Sequence, residues 1–81
     1  MYYVYILYSP DHNRFYIGQT NNMEARLYRH NSGYEKSTSP YAPWIIKCVI
    51  EKSTRGDALI LEKKLKNLSP ERLRQFIEKY S

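Results

Sequence analysis

The chain is poor in most of the residue types that would widen its possibilities. It holds one cysteine in 81 residues, so no internal disulfide can form and no thiolate cluster can hold zinc. That residue, Cys48, lies in the run Trp44-Ile45-Ile46-Lys47-Cys48-Val49-Ile50 and reads as a small buried hydrophobe in preference to a reactive thiol. No apolar stretch exceeds a handful of residues, against the roughly 20 that a helix needs to cross a bilayer. The opening MYYVYILY has no basic segment before it and no small-residue cleavage site, so it reads as a strand and not as a signal peptide. A cytoplasmic location is the expectation. At this length only one compact core can be buried, and one domain over residues 1–81 is expected. Internal repeats, low-complexity tracts and long linkers are absent.

Acidic residues are outnumbered, 8 against 13 basic ones, for a formal net charge of +5. The basic residues recur along the whole chain, which gives a folded domain an electropositive surface and makes polyanions its natural partners. A charge of this size also serves plain solubility, so it does not decide function by itself.

Tyrosine is abundant, with nine copies. Tyr2 to Tyr8 is an unbroken aromatic and β-branched run, and a second runs from Arg14 to Thr20 after Ser9-Pro10-Asp11-His12-Asn13. This pattern predicts a β-hairpin with a four-to-five-residue loop. Thr20-Asn21-Asn22 offers caps for a helix from about Met23 to Ser32, which Gly33 ends in a left-handed conformation. Gly33 to Pro43 reads as loop, and Trp44 to Glu51 as a third strand. Thr54-Arg55-Gly56-Asp57 starts a second helix to about Leu68, and Ser69-Pro70-Glu71 opens a third, whose Leu73, Phe76, Ile77 and Tyr80 form an apolar stripe. The order is ββαβαα.

Three features depart from a plain core pattern. On the second helix Ala58, Leu61, Leu65 and Leu68 share a face, and Glu62 falls inside that arc, between Ala58 and Leu59. A carboxylate there must be paired, protonated, at a cleft edge or bound to a metal, because burying it alone costs several kcal/mol. An ion pair with Lys66, four residues on, is the plain alternative. On the first helix, Arg26 and His30 border the side defined by Met23 and Leu27 and point to a common patch. A snorkelling arginine and a histidine satisfied in the core would explain the same pair. In the hairpin, pairing Tyr5 across from Tyr16 would set two hydroxyls side by side. An aromatic ladder accounts for the rings there but gives no reason for phenols over phenylalanine.

Taken together, these residues resemble the GIY-YIG nucleases, found in homing endonucleases, some restriction enzymes, the incision subunit of bacterial excision repair and many small bacterial proteins. The second name-giving element stands literally as Tyr16-Ile17-Gly18, and Tyr3-Val4-Tyr5 occupies the place of the first, keeping only its tyrosine. Thr20, the pair Arg26 and His30, Pro43-Trp44 and Glu62 follow in the family's order. The resemblance implies an α+β fold, with a small three-stranded antiparallel sheet flanked by helices. It also implies a DNA endonuclease, of the sort used in repair or recombination, dependent on Mg²⁺ or Mn²⁺. Glu62 would hold the cation, and one carboxylate suits Mg²⁺, which keeps most of its waters. Tyr5 would be the general base, with Tyr16 assisting and His30 as an alternative proton acceptor. Arg26 would grip the scissile phosphate. DNA is the expected partner, RNA being a second polyanion of the same kind, and no membrane is involved. The loop from Gly33 to Pro43 carries only Lys36 as a base, which favours a different reading: a nucleic-acid-binding or adaptor domain without turnover. A protein-interaction module using the tyrosines would need no carboxylate in the apolar arc.

Overall fold

A computed structural model describes all 81 residues. Two strands, β1 (Tyr2–Ser9) and β2 (Arg14–Thr20), form the hairpin, followed by helix α1 (Met23–Asn31), strand β3 (Ile45–Lys52), and helices α2 (Arg55–Lys66) and α3 (Pro70–Tyr80). The three strands make one antiparallel sheet in the order β2-β1-β3. The fold is therefore α+β with the order ββαβαα, as the sequence implies. No helix is long and apolar enough to cross a membrane.

The hairpin loop is the four residues Pro10 to Asn13, and its last residue takes a positive φ of 50°. Asparagine tolerates that conformation better than most residues. Each helix begins on a side-chain cap: Asn22 accepts from Ala25 N–H, Thr54 from Asp57 N–H and Ser69 from Arg72 N–H. Gly33 has a φ of +84°, the left-handed conformation expected just past α1.

In the extent of the elements, differences from the sequence reading are confined to ends and to one loop. Strand β3 starts at Ile45 instead of Trp44, because the Trp44 backbone is taken by a side chain. Its N–H donates to Asn31 Oδ1 at 2.7 Å and its carbonyl accepts from Asn31 Nδ2 at 3.2 Å. Helix α2 stops at Lys66, where Asn67 and Leu68 N–H bond the carbonyls three residues back and tighten the last turn. The segment read as loop contains a 3₁₀ turn, Ser39–Tyr41. It is anchored to β1 by the Ser9 hydroxyl, which donates to the Tyr41 carbonyl at 2.6 Å.

Side chains of β1 alternate between the two faces of the sheet. Val4 and Ile6 join Cys48, Ala58, Leu65 and Leu73 in an apolar core under α2 and α3. Tyr5 and Leu7 point the other way and pack with Trp44, Tyr16, Met23 and Leu27 under α1. Cys48 is buried and free, and burial pushes its thiol pKa up, which matches its reading as a small hydrophobe.

Candidate active site

The site forms on the α1 face of the sheet, and register explains how. A four-residue loop pairs Ser9 with Arg14, so counting back along the hairpin pairs Tyr5 with Gly18. Tyr16 pairs with Leu7. The expected direct Tyr5–Tyr16 pair is thus replaced by a diagonal one, and the rings still share a face with centroids 6.3 Å apart. Gly18 has a specific reason to lack a side chain: a Cβ there would sit 2.5 Å from Tyr5 Oη and 2.8 Å from Cζ. The Tyr5 phenol lies where that methyl group would be.

Helix α1 brings the other two groups to the same phenol. Arg26 and His30 are one helical turn apart, which puts them on one face. Arg26 Nε–H donates to Tyr5 Oη at 3.2 Å, and His30 Nε2 lies 3.0 Å from that oxygen. The His30 ring stands 4.8 Å from the Tyr16 ring, centroid to centroid. Tyr5 is fully buried and His30 is 1% exposed, whereas Tyr16 and Arg26 keep part of their surface open. The two Nη groups of Arg26 and the Tyr16 hydroxyl have no hydrogen-bond partner in the protein.

The electrostatics follow from that burial. Desolvation outweighs the nearby guanidinium, and the Tyr5 phenol is pushed up to about 12. A standing phenolate is therefore disfavoured, although Arg26 pulls in the opposite direction by hydrogen bond and by charge. The His30 pKa is lowered, first by burial and then by the charge of Arg26, which keeps the ring neutral near pH 7. The Arg26 pKa is raised by its bond to Tyr5.

No hydrogen bond or ion pair joins Glu62 to these four. Its Oε2 is 2.8 Å from Lys66 Nζ, the intrahelical pair that the sequence offered as an alternative, and its side chain is 13% exposed. Leu59 is 42% exposed, so Glu62 lies between the buried Ala58 and the open side of the helix, with most of its own side chain covered. Its charge still reaches Tyr5, where it opposes ionisation. Arg55, seven residues earlier and so on the same edge of α2, lines a polar cavity of about 430 Å³ with Arg26, Tyr2, Gln19, Thr20 and Asn21. The cavity contains two guanidinium groups and no carboxylate.

No group of three or more His, Cys, Asp or Glu side chains is arranged to hold a metal. On this side α2 offers the Glu62 carboxylate, whose Oε1 is free of protein partners. That donor set suits a cation that keeps its waters and shares phosphate oxygens, and it does not suit tetrahedral zinc.

Sequence reasoning passed over one participant. Thr38, 1% exposed, places Oγ1 2.8 Å from His30 Nδ1, and its carbonyl accepts the Trp44 indole N–H at 2.8 Å. It comes from the stretch read as loop, in Ser37-Thr38-Ser39, where no periodicity distinguishes one hydroxyl from the next. The pairing of Gly18 with Tyr5, by contrast, follows once the hairpin loop is known to be four residues, although the close approach of the phenol does not.

A small antiparallel sheet with two tyrosines, an arginine and a histidine gathered on one face makes an α+β domain with one concentrated polar site. The model of the GIY-YIG catalytic domain matches residues 1–78, and the chain belongs to that family. Its members are nucleases that act on nucleic acid and generally depend on a divalent metal. The solution NMR structure of a UPF0213 protein from Bacillus halodurans is similar, with 29% sequence identity and a TM-score of 0.62. The match covers 96% of this chain and 84% of that one. No curated protein matches.

Proposed function

We propose that the protein is a divalent-metal-dependent endonuclease that hydrolyses DNA phosphodiester bonds, acting in the cytoplasm as one domain in DNA repair or recombination. The observation that carries this reading is the orientation of Arg26. Its Nε is tied to Tyr5, no protein group bonds its two terminal nitrogens, and the residue lines a cavity that also holds Arg55 and no acid. A guanidinium fixed at one nitrogen and open at the others is suited to bind phosphate bidentately and to stabilise charge that develops on it. Arg55 is then available to a neighbouring phosphate of the same strand.

The remaining residues take roles that fit their surroundings. Tyr16, with its free hydroxyl, orients the attacking water. A phenol held at about 12 is a poor base by itself, so the proton moves by relay. Tyr5 passes its proton to His30 Nε2, 3.0 Å away, as it takes one from the water side. His30 is the final acceptor, and Tyr5 never carries a full negative charge. A phosphate on Arg26 also offsets the positive charge that depresses the His30 pKa. Glu62, through its free oxygen, would hold Mg²⁺ or Mn²⁺, which when bound supplies positive charge to the phosphate and the leaving oxygen.

The test is nicking of supercoiled, branched and single-stranded DNA with Mg²⁺ or Mn²⁺. We expect Arg26→Ala and Glu62→Ala each to lower the rate by about 10²-fold or more. Equal nicking by wild type and both variants would overturn the site assignment. One observation favours a second reading, a nucleic-acid-binding or adaptor domain on the same scaffold: the Glu62 carboxylate is already paired with Lys66. Binding that weakens steeply with salt, without cleavage of any substrate, is its signature.

A further inference from the structure

Hydrogen-bond accounting around His30 determines which ring nitrogen carries the proton. The buried Tyr5 hydroxyl receives Arg26 Nε–H, and the only acceptor within reach of its own proton is His30 Nε2 at 3.0 Å. If Nε2 were protonated, the Tyr5 O–H would be buried without an acceptor, a costly arrangement in a protein that leaves no other buried side-chain polar atom unpartnered. Nε2 is therefore the bare nitrogen and Nδ1 carries the proton. Nδ1–H donates to Thr38 Oγ1 at 2.8 Å, and the Thr38 hydroxyl passes its own hydrogen to the Glu35 carbonyl at 3.5 Å. The donors run in one direction, from Arg26 through Tyr5, His30 and Thr38 to a main-chain oxygen.

We propose that Thr38 is a positioning residue for the nuclease reaction: by accepting Nδ1–H it acts together with the Tyr5 O–H to favour the His30 tautomer whose Nε2 is open to receive the Tyr5 proton. Thr38 is itself fixed independently of His30. Its carbonyl is bonded by the buried Trp44 indole and its N–H by the Glu35 carbonyl at 3.2 Å. A histidine in the wrong tautomer cannot take the proton offered to it, whatever the quality of the surrounding geometry. The consequence for turnover rests on the nuclease reading given above, whereas the tautomer does not.

The experiment reads both. Long-range ¹H–¹⁵N correlation of the His30 ring in uniformly labelled protein at pH 7.5 identifies the protonated nitrogen, and DNA nicking is measured on the same samples. Wild type is expected to show the Nδ1–H pattern. Thr38→Val, which keeps the volume and removes the hydroxyl, should populate the Nε2–H form and lower nicking by about 10²-fold. Thr38→Ser should restore the Nδ1–H pattern and the rate together. An Nε2–H pattern in wild type overturns the proposal, as does a Thr38→Val protein that keeps the Nδ1–H pattern. If Thr38→Val fails to fold, the wild-type and Thr38→Ser spectra still decide the tautomer. A wild-type protein with the Nδ1–H pattern that nicks no DNA would remove the nuclease reading and leave the tautomer assignment standing. Nicking unchanged in a Thr38→Val protein with a switched tautomer would overturn the positioning role.

Discussion

Strand β1 buries Val4 and Ile6 on one side of the sheet and Tyr5 and Leu7 on the other, yet the two sides are held together differently. Under α2 and α3 the buried cluster is built of apolar side chains, from Val4 and Ile6 to Ala58, Leu65 and Leu73. Under α1 the centre is a phenol, an imidazole and a hydroxyl bonded in sequence, with Trp44 and Leu7 around them. The apolar side draws its stability from area removed from water and depends little on direction. The polar side depends on each partner being in place, because a buried donor or acceptor left alone costs about 1–3 kcal/mol. One sheet thus carries a scaffold on one surface and a reactive network on the other, with a single strand as their common wall.

That contrast can be broken or sharpened by experiment. The largest effect belongs to the scaffold: Ile6→Ala should cost about 2–5 kcal/mol in urea denaturation. A loss below 1 kcal/mol would mean that the α2 and α3 side is not the main source of stability. Gly18→Ala comes next, at about 1–3 kcal/mol, because its methyl group must displace the Tyr5 phenol. Its stability loss should come with displaced Tyr5 and His30 resonances, which distinguishes it from a remote destabilising change.

The third prediction concerns pH. His30 has a lowered pKa in the folded protein, so the unfolded chain binds the proton more readily. The His30 contribution is therefore complete above the ordinary histidine value, near 6.5, and is lost progressively as the pH falls below it and through the lowered folded-state value. Thermal melts should show this decline in wild type and a flatter profile in His30→Gln; identical profiles would remove His30 as the cause. The smallest effect on stability is expected at Glu62→Gln. Its pair with Lys66, a side chain 54% exposed, is worth less than about 1 kcal/mol. If nicking nevertheless falls about 10²-fold, the carboxylate serves chemistry and not the fold.

Much of this was legible in the order of residues. The alternation and branching of Tyr2 to Tyr8 and Arg14 to Thr20, and the caps at Asn22, Thr54 and Ser69, set out the elements to within a residue or two at their ends. The spacing of Arg26 and His30 set them on one helix face, and the tertiary structure carries both to Tyr5. Glu62 was visible as a carboxylate inside the apolar arc, but its choice of Lys66 was one of several open outcomes.

The sequence by itself determined whatever depends on neighbours along the chain: strand against helix, cap against interior, and which side chains share a face, whereas the hairpin register, Tyr5 against Gly18 and not Tyr16, came from the structure. The first three follow from the fixed periods of the backbone, so local spacing is enough to read them. Only the tertiary structure decided that Tyr5 would fill the space above Gly18, that burial would push its phenol up to about 12, and that Thr38 would meet His30. Desolvation and hydrogen bonding between distant residues depend on three-dimensional packing, and no local pattern encodes how far a hydroxyl in one loop will lie from an imidazole on a helix.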